Sequence, residues 1–350
     1  PEAELLAVMK HVRFAVMAVE FLHATVVAWP ALCSAEARGM LLTATLPAVG
    51  GTKVVPRWGF GPRLIYLVGG KGYGNVKVST VELYDLQNVS WKQLAGMVES
   101  RDSHGCVALD GKLYAVGGEG DTSQDLDTAE VYDPQTDGWQ PLAKMSTARV
   151  GLGLAAVGGK VYALGGYGAA GLALDSVEAY DPQLGSWALV ASMNVRRMRH
   201  ASVVLDGKIY VMGGHDLAVV GIASFDTVEV YDPQADSWQW VASMPRGLYT
   251  HAAAAMGGKI YVTGGCNGGA SVNSVYVYDP QADAWTQLAS MGTARRCHTS
   301  TVVGGKVYVF GGYGALERLS TAEVYNPVSD SWASVSSLTS VRSGMVAVAL

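Results

Sequence analysis

From residue 63 onward, apolar and polar positions alternate in short runs rich in valine, isoleucine, tyrosine and tryptophan. Period-two alternation in β-branched and aromatic residues predicts short strands. Residues 200–205, 208–213, 227–231 and 238–242 show it four times in succession. Asp206-Gly207, between the first two runs, is a two-residue turn whose members tolerate the positive φ that a tight hairpin demands. Asp-Pro-Gln at 232–234 turns the chain after the third run, with proline presetting its φ.

The unit repeats. Glycine doublets begin at 69, 117, 165, 213, 264 and 311, and a tyrosine stands three residues before each. Tryptophans follow at 91, 139, 187, 238, 285 and 332, each seven residues after another tyrosine. The period is 48 residues, stretched to 51 in the fourth copy by an insertion around 217–225. Asp110-Gly111, Gly158-Gly159, Gly257-Gly258 and Gly304-Gly305 supply the equivalent hairpin turns, and Asp-Pro-Gln recurs at 133–135, 181–183 and 279–281. Four antiparallel strands repeated at this period predict a β-propeller. Residues 63–350 hold six blades. The first copy lacks an opening strand, because Arg63 runs straight into Leu64-Ile-Tyr-Leu-Val, and the chain ends on an opening strand with no blade of its own. Pairing the two would close the ring and remove both open edges.

The glycine doublet, the Val-Glu-x-Tyr-Asp strand, the tryptophan and the Met-x-x-x-Arg that follows resemble the Kelch repeat. The resemblance covers 63–350 and implies an all-β, six-bladed Kelch propeller. Residues 1–47 read differently, with apolar residues at three- and four-residue spacing over 2–11, 19–27 and 31–42, which predicts helices. Leu5-Leu-Ala-Val-Met-Lys-His-Val-Arg-Phe14, Glu20-Phe-Leu22 and the stretch from Cys33 to Arg38 are similar to the last helices of a BACK domain. That domain precedes the propeller in BTB–BACK–Kelch substrate adaptors of cullin-RING ubiquitin ligases. Ala18-Val19 depart from it, standing at that family's usual Ser-Pro. Residues 48–62, with Pro56, Pro62 and several glycines, read as a linker. The opening Pro1, in place of Met, is expected of a piece of a longer protein.

Composition narrows the function classes. Charged residues make up 16%, against about 25% in ordinary soluble domains, and 49% are hydrophobic, so disorder is excluded. A net charge of −5 argues against a nucleic-acid partner. The apolar stretch 14–32 is broken by Glu20, His23 and Pro30, which excludes a transmembrane helix, and it lacks the pattern of a signal peptide. Cys33, Cys106, Cys266 and Cys297 form no CxxC pair and read as free thiols in a reducing, cytoplasmic setting.

Repeated chemistry reads as scaffold. His104, His200, His251 and His298 share one phase of the repeat, and Glu82, Glu130, Glu178, Glu229 and Glu323 share another. The glutamates are expected to pair with the recurring Arg101, Arg149, Arg197, Arg295 and Arg342. Cys297-His298 near Cys266 is the one local cluster with a conceivable metal or oxidant role. No nucleophile elbow, P-loop or HExxH occurs, so neither enzyme activity nor a cofactor is expected. Binding is expected on the loops. In Kelch adaptors the substrate peptide docks on the loops after the doublets and on those leading into each first strand. Within those loops Tyr167, His215, Tyr313, Arg199, Tyr249 and Arg296 differ from their counterparts in other copies, and Asp102 and Ser343 complete the candidate site. Arg197, Arg199, Arg295 and Arg296 favour an acidic peptide. The resemblance implies a substrate protein as partner, with the cullin reached only through BTB and BACK parts. An actin-associated Kelch scaffold is the alternative, and a Kelch-fold enzyme a more distant one.

Overall fold

The computed structural model describes residues 64–168, 171–216 and 224–350. The helices expected over 1–47 and the linker over 48–62 lie outside the described residues. Six four-stranded antiparallel sheets make up the propeller. Blade 4 shows the plan: Ala201–Leu205 innermost, then Lys208–Met212, Val228–Asp232 and, outermost, Ser237–Val241. These strands fall within one residue of those read from the alternation. Asp206 and Gly207 between the first two take φ of 50° and 73°, the left-handed turn that Asp-Gly favours. Blade 5 carries a small extra hairpin after its doublet, Cys266–Asn267 paired with Ala270–Ser271. Tyr73–Asn75 forms the single helical turn among the described residues, and no helix there is long and apolar enough to cross a membrane.

Blade 1 is composite. The C-terminal strand Val346–Ala349 pairs antiparallel with Leu64–Val68, Tyr66 facing Val348, and supplies the innermost strand of that blade. Six inner strands then surround a central channel of about 590 Å³. Small residues line it, the run Ala252–Ala255 among them, because six strands converging on one axis leave little room for side chains.

Between the blades, apolar side chains from facing sheets form the core. Tyrosines of neighbouring blades meet at each joint from blade 1 to blade 6, as Tyr210 and Tyr278 do at 6.1 Å between centroids. Burial on both faces explains the low charge.

Arginine–glutamate pairs fasten the loops to these sheets. Arg101, Arg149, Arg197 and Arg295 are fully buried and contact Glu130, Glu178, Glu229 and Glu323 at 2.7–3.0 Å; Arg342 lies 3.4 Å from Glu82. Arg101, Arg149, Arg197 and Arg295 each also donate to the carbonyl of the first glycine of a doublet, at 2.8–2.9 Å. One buried side chain thus ties the loop leading into a blade to the loop following its doublet.

Candidate functional site at the channel mouth

Both sets of candidate loops open on one face and meet in six pairs. The residue after each doublet bridges through its backbone to a residue leading into an inner strand: Lys71 with Ser343, Glu119 with Asp102, Tyr167 with Val150, His215 with Met198, Cys266 with Tyr249, and Tyr313 with Arg296. The residue following each leading-loop member (Ser103, Gly151, Arg199, Thr250, Cys297 and Gly344) stands at the axis. All six take a left-handed φ between 50° and 66°. Each N–H donates to the carbonyl of its counterpart one blade earlier, and Ser103 donates to Gly344, so six backbone hydrogen bonds of 2.7–3.1 Å form a closed ring. β-Branched Thr250 is held there in a region such residues rarely enter. At Gly344 a Cβ would overlap the Asp102 carboxylate, so a larger residue there would have to displace it.

The imidazoles of His104, His251 and His298 wedge against Gly69, Gly213 and Gly264 of the preceding blades. Burial, followed by the nearby Arg101 and Arg197, pushes His104 and His200 down to about 3, and burial alone takes His251 to about 4. They are neutral spacers between blades. No group of three or more His, Cys, Asp or Glu side chains able to hold a metal stands together among the described residues.

Charge divides the face. Over blades 1 and 2, Lys71 pairs with Asp102 at 2.9 Å, and Lys77 pairs with Glu119 at 3.0 Å. Lys77 also donates to the Gly120 carbonyl and to Ser123 Oγ. These two lysines are neutralised by their neighbours. Toward blades 4–6 the cations Arg199, Arg296 and Arg318 have no ion pair among the described residues. Arg296 and Arg318 lie over the Tyr313 ring, at 4.9 and 6.0 Å from its centre. Arg296 donates to the Gly269 carbonyl, while Arg318 donates to Ser343 Oγ at 3.0 Å and to Asn75 Oδ1 at 2.6 Å.

The eight predicted site residues part company in exposure. Arg199 is exposed, and Tyr167, Tyr313 and Arg296 are half-buried at the face. Asp102 and Ser343 are buried, held by Lys71 and Arg318 respectively. Tyr249 and His215 are also buried, ring against ring at 4.9 Å, and the Cys266 thiol donates to Tyr249 Oη at 3.0 Å. Burial raises the Tyr249 phenol to about 12; burial, then Arg199, lowers His215. Sequence reasoning missed Arg318, Tyr73 and Leu316. Their signal is weak, because none of them occupies a repeating phase.

A radially repeated sheet with a convergent, unequal loop face defines the class as a six-bladed β-propeller. The chain belongs to the Kelch-repeat family: the Kelch-repeats domain of KLHDC2, KLHL20 and DRC7 matches residues 58–244 and 154–349. A 45-residue stretch, 13% of this chain, is 40% identical to human Kelch-like protein 33 and spans only 8% of that relative's length. The solved structure of YjhT matches with a TM-score of 0.63 at 18% identity, covering 71% of this chain and 87% of that one, a likeness of fold alone.

Proposed function

We propose that this propeller is the substrate-recognition module of a cullin-RING ubiquitin-ligase adaptor and binds an acidic peptide segment on its loop face. The observation that carries the reading is the charge division of that face. Lys71 and Lys77 are already paired, whereas Arg199 and Arg296 stand beside the channel mouth with no ion pair among the described residues. A guanidinium held by a rigid scaffold gains most from a carboxylate that arrives with the partner. In this reading the propeller is a binding module without catalytic chemistry, and the cullin is recruited by the BTB and BACK parts of a longer protein.

The test compares proteins captured by the wild-type propeller with those captured by the double variant Arg199→Ala/Arg296→Ala, identified by mass spectrometry. Two lost charge-assisted contacts should weaken capture of the specific partner on the order of 100-fold. The melting temperature should stay unchanged, because neither side chain carries the fold. Equal capture by both proteins overturns the acidic-peptide reading. Co-sedimentation with actin filaments would replace it by a cytoskeletal scaffold.

A further inference from the structure

Large apolar side chains are also exposed on the loop face, where blade 6 meets blade 1. Tyr73 and Leu316 are each 89% exposed and Val76 is 61% exposed. Each sits on a closed turn. Gly72 N–H donates to the Val76 carbonyl, and Gly74 and Asn75 take φ of 65° and 64°, which fixes the turn that presents Tyr73. On blade 6, Gly314 N–H donates to the Glu317 carbonyl, and Tyr313 Oη donates to that of Leu316. Arg318 joins the two loops, bonding to Asn75 on blade 1 while lying over Tyr313 on blade 6. The apolar residues therefore border the unpaired guanidiniums, on loops whose shape is set before any partner arrives. Such preorganisation lowers the entropic cost of binding.

We infer that the site has two anchors: the peptide it takes carries a bulky aliphatic or aromatic residue a few positions from its acidic residues, and that residue packs on Tyr73, Val76 and Leu316. The inference rests on the acidic-peptide reading above and adds the second determinant. Arg318 touches both halves, and an extended peptide advances about 3.3 Å per residue, so the apolar residue falls within about four positions of the acids. A purely acidic segment would leave the shelf in water. A purely apolar one would leave three guanidiniums without counter-charge.

The probe is a phage-displayed library of random dodecapeptides, panned on the full chain and on its Tyr73→Ser/Leu316→Ser variant. Wild type should enrich sequences with two or more Asp or Glu residues and a Leu, Ile, Met, Phe or Trp within four positions of them. The variant should still enrich the acids but lose the apolar preference. A synthetic peptide of the wild-type consensus should bind the variant about tenfold more weakly, as expected for one apolar side chain returned to water. A wild-type pool that is acidic with no apolar preference, or a variant pool that keeps that preference, overturns the shelf and leaves the acidic reading standing. A pool with neither feature overturns both.

Discussion

Leu248 and Tyr276 hold, in blade 5, the positions that an arginine and a glutamate hold in the other five blades. Both side chains are buried in one apolar cluster. The neighbouring Ser274 hydroxyl, equivalent to the Thr128, Ser176, Thr227 and Thr321 hydroxyls that accept from the arginines, is left without a partner. One chain therefore contains both solutions to the same joint: a buried ion pair with its hydrogen bonds, and an apolar pair that avoids desolvating two charges. The halves should not be interchangeable. Leu248→Arg alone buries a guanidinium against a phenol and should cost about 3–5 kcal/mol. Adding Tyr276→Glu should recover most of that loss, because the new pair also satisfies Ser274. Chemical denaturation of the two single variants and the double variant measures the coupling, and additive losses would disprove it. The pairing of the other arginines with glutamates was legible in the sequence, since both recur in phase. The burial of His215 and Tyr249 was not. It depends on which residues of the next blade stand over them, and no repeat phase records that.

Adjacent blades are stapled by a second device, which joins the turn before each outer strand to the residue just after the preceding blade's outer strand. In blade 5, Asp283 accepts the Ala242 N–H at 2.8 Å, and Trp285 Nε1 donates to the carbonyl of the same alanine at 2.8 Å. The Tyr278 hydroxyl donates to Asp283 and fixes its carboxylate. Blades 2, 4 and 6 repeat this with Asp137, Asp236 and Asp330. The aspartates all take φ between 43° and 49°, a left-handed conformation they tolerate. Two blades lack the carboxylate. Blade 3 has Gly185 at φ 65°, where an added Cβ would meet nothing. Blade 1 has the exposed β-branched Val89 at φ 49°, and the Nε1 of its Trp91 is buried without a partner among the described residues. Gly185→Asp should raise stability by no more than about 1 kcal/mol, because the restored hydrogen bond is partly offset by the strain of an aspartate at φ 65°. Val89→Asp should gain about 1–2 kcal/mol, because it also removes backbone strain. A higher melting temperature for each variant is the expected readout, and a lower one would show that the clamp does not transfer between blades.

At the scale of the ring, the joint between blades 6 and 1 is the least satisfied. Thr80 Oγ1, Glu82 Oε2, Trp91 Nε1 and Arg342 Nη1 are buried there without hydrogen-bond partners among the described residues. Three features compensate: the pairing of Val346–Ala349 with Leu64–Val68, the Ala347 N–H bond to Thr299 of blade 6, and the Arg318 bridge to Asn75 and Ser343. Removing residues 343–350 deletes the inner strand of blade 1 and uncovers fully buried Ile65 and Leu67. The truncated chain should lose its folded, soluble form, read as the soluble fraction on expression. A truncated protein that melts like the full chain would refute closure by the C-terminal strand.

The blade number, the strands of blade 4 to within a residue and the arginine–glutamate scaffold were legible in the sequence. These follow from local rules: period-two alternation, turns that need glycine or aspartate, and a register repeated every 48 residues. Which loop residues share the mouth follows from how the six sheets meet. Arg318 and Asn75 are 243 residues apart and touch only because the ring closes. Asp102, Ser343, His215 and Tyr249 read as loop residues and are buried, whereas Arg199 projects from the amide ring. Exposure at a convergent site is set by neighbours from other blades, and that information exists only once the six sheets meet around one axis.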